Sequence, residues 1–204
     1  MLPRLIAFSD GVFAIAMTLL VVQLTVPNIP KDLPEAEIGH RLASALAVLG
    51  PAYLSFGISF LVTAAFWMAH HRIFRYLRRY DAGLLWLNVL LLLCVAFMPF
   101  PTAVLGRYGD QTVAAILYAS SLAVTGLVSV AIAAYATRRG LVDPAARSRA
   151  RANAGRGLIL PAVFLASIPV ALVSPSAAEY SWLGVLVVDI ALNRVLRIRA
   201  GARS

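Results

Sequence analysis

Charged side chains are scarce in this sequence, at 13% of 204 residues, while 61% are hydrophobic. An ordinary soluble domain carries roughly 25% charged residues, so water is not the solvent this chain is built for. Acidic residues are scarcer still, nine against eighteen Lys and Arg, which leaves a formal net charge of +9. That surplus would suit nucleic acid if the basic residues were interleaved with aromatics in a polar segment. They stand instead at the ends of apolar runs, and no nucleic-acid partner is expected. Cysteine is nearly absent: Cys94 is alone, inside an apolar run, so no intrachain disulfide can form and core packing is its expected role. No Gly-x-Ser-x-Gly, His-Glu-x-x-His or glycine-rich phosphate loop occurs, which leaves an enzyme reading without positive support. The chain enters its first apolar run through Met1-Leu2-Pro3-Arg4 without a small-residue cleavage site, so that run is expected to stay in the mature protein.

What the sequence has is apolar length. A bilayer core about 30 Å thick takes about 20 apolar residues per helix. Candidate spans run from about Leu5 to Val26, Ile38 to Arg79 with the apolar part ending near Met68, Asp81 to Tyr108, Gln111 to Arg138, Gly157 to Val173 and Ala178 to Leu196. The expectation is an all-α fold, one membrane domain of six helices over residues 1–204. Pro27 and Pro30 should stop the first helix. Pro99, Pro101, Pro161 and Pro169 fall within later spans, where neighbouring helices can satisfy the freed carbonyls. With the N-terminus inside, fifteen of the eighteen basic residues fall on the cytoplasmic side, and Lys31, Arg41 and Arg107 on the other. The positive-inside bias therefore predicts an even number of spans, in the cell membrane, with both termini cytoplasmic.

A charge inside a span costs roughly 2.5 to 3.5 kcal/mol on insertion scales, so each one calls for a reason. Arg4, Ser9 and Asp10 stand at the start of the first helix, where a carboxylate favours the positive end of the helix dipole. Asp10 is expected to pair with Arg4 or with His71 of a neighbouring helix. Trp67, His70 and His71 lie near the end of the second span. Adjacent histidines diverge by about 100° on a helix and lack the i, i+4 spacing of a metal pair, so interhelical hydrogen bonding is expected instead. Asn88 in the third span can join two helices for about 0.6 kcal/mol. Asp189 and Asn193 in the sixth span stand near basic residues, where a snorkelling arginine can neutralise the carboxylate. Nothing in the sequence forces Asp10 and Asp189 together as a protease dyad.

The first span carries one more pattern. On a helix, Ile15, Leu19, Val22 and Val26 fall within about 40° of one direction, with Thr18 on the same side. Gly11 and Ala14 keep its flank narrow enough for close helix approach. Ordinary helix packing accounts for such a stripe. So does a ring of several copies around an axis, forming an aliphatic constriction that gates ions by excluding water.

The run Arg4-Leu5-Ile6-Ala7-Phe8-Ser9-Asp10-Gly11-Val12-Phe13-Ala14-Ile15-Ala16-Met17-Thr18-Leu19-Leu20 resembles the first helix of the bacterial transmembrane protein 175-like potassium channels. The likeness continues through Phe66-Trp67-Met68-Ala69-His70-His71-Arg72, Leu85-Trp86-Leu87-Asn88 and Pro99-Phe100-Pro101-Thr102, roughly the first half of the chain. The resemblance implies six-helix subunits assembled as a homotetramer in the lipid bilayer, with the first helices around a pore for potassium and other monovalent cations. By motif position it implies an aliphatic constriction at Ile15, Leu19 and Val22, and a hydroxyl layer linked with cation preference at Thr18. It also implies a structural polar cluster of Arg4, Ser9, Asp10, Trp67, His71 and Asn88. Val22 departs from the leucine common at that position. Conduction of this kind needs no cofactor, only the permeant potassium ion. No Thr-Val-Gly-Tyr-Gly loop is present to replace the ion's hydration shell with carbonyls. A secondary transporter and a non-conducting membrane scaffold are the alternatives. The transporter would want an interrupted helix with polar groups at the midplane, whereas the first span is aliphatic there.

Overall fold

A computed structural model describes residues 2–182 of the chain. Among them, five segments are long and apolar enough to cross a membrane: Leu2–Val22, Gly50–Arg75, Ala82–Tyr108, Thr112–Arg138 and Pro144–Val173. The expected sixth span, with Asp189 and Asn193, lies outside the described residues except for 178–182, which are helical. The described residues hold no strand, only an isolated antiparallel bridge between Leu77 and Val142.

The first helix, α1, is Leu2–Val22, about 31 Å at 1.5 Å per residue and long enough to span the apolar core. It stops four residues before the expected Val26. Thr25 and Val26 precede Pro27, whose ring disfavours the helical region for the residue before it. Gln23 and Leu24 close the end with N–H donation to the Leu20 and Val21 carbonyls. The expected second span is two helices, α2 (Glu35–Val48) and α3 (Gly50–Arg75). Pro51 at the start of α3 has no N–H to continue the ladder and its ring collides with the carbonyl four residues back, so the chain breaks at Leu49. Without a buried residue among the described ones, α2 lies on the outside of the bundle.

The third span is also stepped, as α4 (Ala82–Phe97) and α5 (Pro99–Tyr108), meeting at Met98. Pro99 and Pro101 lack the N–H groups a continuous helix needs. The Thr102 N–H reaches back to the Met98 carbonyl at 3.2 Å, so the two pieces stack into one span. The next helix, α6 (Thr112–Arg138), is the most deeply buried and packs against α4, α5, α7 and α8. Ala115, Ala119, Ala123, Gly126 and Ala133 let neighbouring backbones approach it, as small residues do in membranes where no hydrophobic effect drives helices together. A Cβ at Gly126 would stand 3.0 to 3.1 Å from the Pro161 ring. After a 3-10 turn at Pro144–Ala146, the basic helix α7 (Arg147–Gly157) leads through Leu158 into α8 (Ile159–Val173). Trp182 packs on Tyr118 and Phe164 and donates Nε1–H to the Ser167 hydroxyl at 2.8 Å.

Candidate functional site

Two faces of α1 differ sharply. Ser9, Phe13, Ala16 and Leu20 are buried, at the i, i+4, i+7, i+11 spacing of one helix face, against α3, α4 and α5. Roughly opposite, Phe8, Ile15, Leu19 and Val22 stand bare, with exposures of 63%, 61%, 44% and 69%. Gly11, Ala14 and Thr18 share that uncovered side. The Thr18 hydroxyl donates to the Ile15 carbonyl at 2.9 Å, which spends its proton within the helix and leaves its oxygen lone pairs facing outward. The predicted constriction residues and the predicted hydroxyl thus lie on one continuous uncovered strip. Val26, part of the stripe drawn from the sequence, lies beyond the helix end.

The buried face is anchored by a directional chain of hydrogen bonds. Asn88 on α4 is fully buried and takes a 2.9 Å bond at its Oδ1 from His70 Nε2 on α3. A carboxamide oxygen only accepts, so this bond places the proton on Nε2. Asn88 Nδ2–H donates to the Ser9 hydroxyl at 3.1 Å, and Ser9 Oγ–H donates to the Leu5 carbonyl at 2.9 Å. Three helices are tied through four groups, deep in an apolar setting where an unpaired polar atom is costly. The His70 ring lies between Phe74, stacked at 4.0 Å, and Phe13 at 5.7 Å.

A second anchor lies nearer the surface. Trp67 Nε1–H donates to the Asp10 carboxylate at 2.8 Å, and the Trp67 ring faces His71 at 6.0 Å. The structure therefore divides the predicted polar cluster in two: Ser9 with Asn88, and Asp10 with Trp67 and His71. Arg4 is exposed and, among the described residues, joins neither group. Asp10 takes its hydrogen bond from Trp67 rather than from the expected Arg4 or His71. His70, which the sequence grouped only with its neighbours, is the histidine that bonds Asn88. The 100° divergence of adjacent helix residues is what turns His70 inward and leaves His71 exposed. Its apolar neighbours Phe66 and Phe74, at i−4 and i+4 on the buried face, are the signal that singles it out.

Residues 4–99 match the family described as Endosomal/lysosomal potassium channel TMEM175. A potassium channel of Streptomyces collinus is 40% identical over 146 residues, which cover 69% of this chain and 68% of that protein. A potassium channel of Chamaesiphon minutus is 46% identical over 119 residues, covering 57% of this chain and 56% of the relative. The crystal structure of a lysosomal potassium-selective channel TMEM175 homolog from Chamaesiphon minutus superposes with a TM-score of 0.76 at 33% identity, over 96% of this chain and 97% of that one.

Proposed function

Because this chain belongs to the TMEM175 potassium-channel family, we propose that it is a potassium-permeable cation channel in which four copies surround a pore lined by α1. Each subunit is one six-helix membrane domain over residues 1–204, in the cell membrane, with both termini cytoplasmic. The observation that carries the pore assignment is the uncovered strip of α1. A hydroxyl layer at Thr18, about one turn from Ile15 and next to Leu19, favours an axis over lipid, as does family membership.

The mechanism needs no charge and no carbonyl filter. Ile15, Leu19 and Val22 from four subunits form a narrow aliphatic ring, which water avoids. An ion crossing a dry ring loses hydration without receiving substitute ligands, so the ring is closed until it widens or wets. Thr18 oxygens supply partial ligands beside it and bias the choice of cation. Ser9, Asn88 and His70 hold α1 against α3 and α4, and Asp10 with Trp67 fixes its start.

Two measurements on purified protein test this. The oligomeric state with density along the symmetry axis should give a tetramer with α1 innermost, and potassium flux into liposomes should run at channel rates. A monomer, or an α1 distant from the symmetry axis, overturns the pore. Saturable exchange would point to a transporter, and no flux to a scaffold.

A further inference from the structure

The connections after α3 and after α6, distant in sequence, are stitched together at the arginine-rich end of the bundle. The Arg78 N–H donates to the Leu141 carbonyl at 3.0 Å and the Asp143 N–H to the Tyr76 carbonyl at 2.9 Å, on either side of the Leu77–Val142 bridge. Gly140, at φ +65°, turns the chain from α6 into this pairing through a region that side-chain-bearing residues rarely adopt. Leu77, Leu141 and Val142 are buried beneath it. Basic helix α7 is part of the same unit. Its Ala150 and Asn153 close a cavity of about 10 Å³ together with Ile73, Tyr76, Thr137 and Val142.

The charge of this platform is one-sided. Residues 72–81 and 138–156 contain ten arginines and two acids, Asp81 and Asp143. Each acid meets an arginine of the other connection: Asp143 lies 3.7 Å from Arg78, and Asp81 lies 3.7 Å from Arg139. Among the described residues no ion pair joins an acid to α7, whose Arg147, Arg149, Arg151 and Arg156 are all exposed. By helix geometry Arg147 and Arg151 take one flank of α7 and Arg149 and Arg156 the other, with Ala150 buried between them. Immediately after α7, Leu158 and Ile159 are 47% and 53% exposed as the apolar helix α8 begins. Apolar residues so bare at the start of a span face acyl chains, which puts the preceding arginines at the depth of lipid phosphates.

We propose that this platform and α7 bind the phosphate groups of anionic phospholipids in the leaflet at the arginine-rich end, gathering such lipids around each subunit. The positive-inside bias requires only that arginines stay on one side. It does not require them on a hydrogen-bonded platform, with their acids already engaged, beside a helix docked at headgroup depth. Arginine suits the partner, because its planar fork meets phosphate oxygens two at a time. This inference concerns lipid recognition and does not depend on conduction.

The test uses the full chain in bilayers of phosphatidylcholine containing a minor fraction of spin-labelled phosphatidylglycerol or spin-labelled phosphatidylcholine. Electron paramagnetic resonance reads the protein-bound fraction of each. Phosphatidylglycerol should be preferred over phosphatidylcholine, by about fivefold for each arginine that engages a headgroup, and the preference should shrink as salt rises. Changing Arg147, Arg149, Arg151 and Arg156 together to Gln should abolish most of it. If that variant fails to insert, Arg149→Gln with Arg156→Gln leaves the platform and half of α7 charged and should still reduce the preference severalfold. Equal association of the two lipids with the unmodified protein, or an undiminished preference in the inserted variant, overturns the proposal. Full displacement of the preference by soluble glycerol phosphate at equal salt overturns it too, in favour of a soluble-anion site.

Discussion

Ile15 and Thr18 stand three residues apart on the same uncovered strip of α1, yet their substitutions should have different consequences. Ile15→Asn puts dipoles into an aliphatic ring and lets it wet, so potassium flux into liposomes should rise while assembly survives. Thr18→Ala removes a hydroxyl oxygen without opening the ring, so flux should persist with reduced preference for potassium over sodium. If both variants assemble and neither changes conductance or selectivity, α1 does not line the path. Asp10 answers to a different measurement. Its partner is the neutral Trp67 indole at 2.8 Å, so Asp10→Ala removes a hydrogen bond to a charged group, about 1.5 to 3 kcal/mol. Tetramers of that variant should dissociate at lower temperature, with ion preference retained. A heat-stable Asp10→Ala tetramer with altered selectivity would place the carboxylate in the pore instead.

At the scale of the helix, the start of α4 is held by one side chain with three partners. Asp81 accepts the Leu84 N–H at 2.9 Å as an N-cap, accepts the Tyr135 hydroxyl at 3.1 Å and faces Arg139. These contacts hold its carboxyl below the ordinary carboxylate range, the Leu84 N–H foremost, because each favours the charged form. A lowered folded-state pKa contributes stability above the unfolded value, about 3.9, and that contribution is lost as pH falls through the folded value. Asp81→Ala should therefore unfold at lower temperature than the parent near neutral pH, and the gap should close as the pH is taken below about 4. A gap independent of pH would mean that the carboxylate charge contributes nothing at this cap. Tyr135 ties the same site to α6, and Gly83 leaves the room its ring needs, so the cap also fixes how α4 meets the central helix.

For the whole molecule, the distribution of arginine makes the orientation testable. In a background with Cys94→Ala, a cysteine at Ala36 should react with impermeant reagent only from outside, and one at Ser148 only from the cytoplasmic side. The reverse pattern would invert the subunit in the membrane and move the arginine platform to the outer leaflet. Assembly acts at this scale too: the uncovered strip of α1 and the exposed helix α2 are features of one subunit, and the proposed tetramer would cover the first by turning it toward an axis.

Five of the expected spans, their composition and the aliphatic strip of α1 were legible without coordinates, since hydropathy and helical period are local properties that a bilayer translates directly into helices. The strip Ile15, Leu19 and Val22 came out of spacing alone, because the 3.6-residue turn is the same whatever the helix touches. The helix breaks were only partly legible. Pro99 reads as tolerable within the third span and Pro51 passes unremarked in the second, because whether a proline kinks a span or divides it depends on what satisfies the freed carbonyls, and neighbouring helices decide that. The choice between His70 and His71, the pairing of Trp67 with Asp10, and the joining of two arginine-rich connections at Leu77 and Val142 belonged to the tertiary structure. Each depends on which groups far apart in the chain arrive within about 3 Å with donor and acceptor aligned, and no local property of the sequence carries that distance.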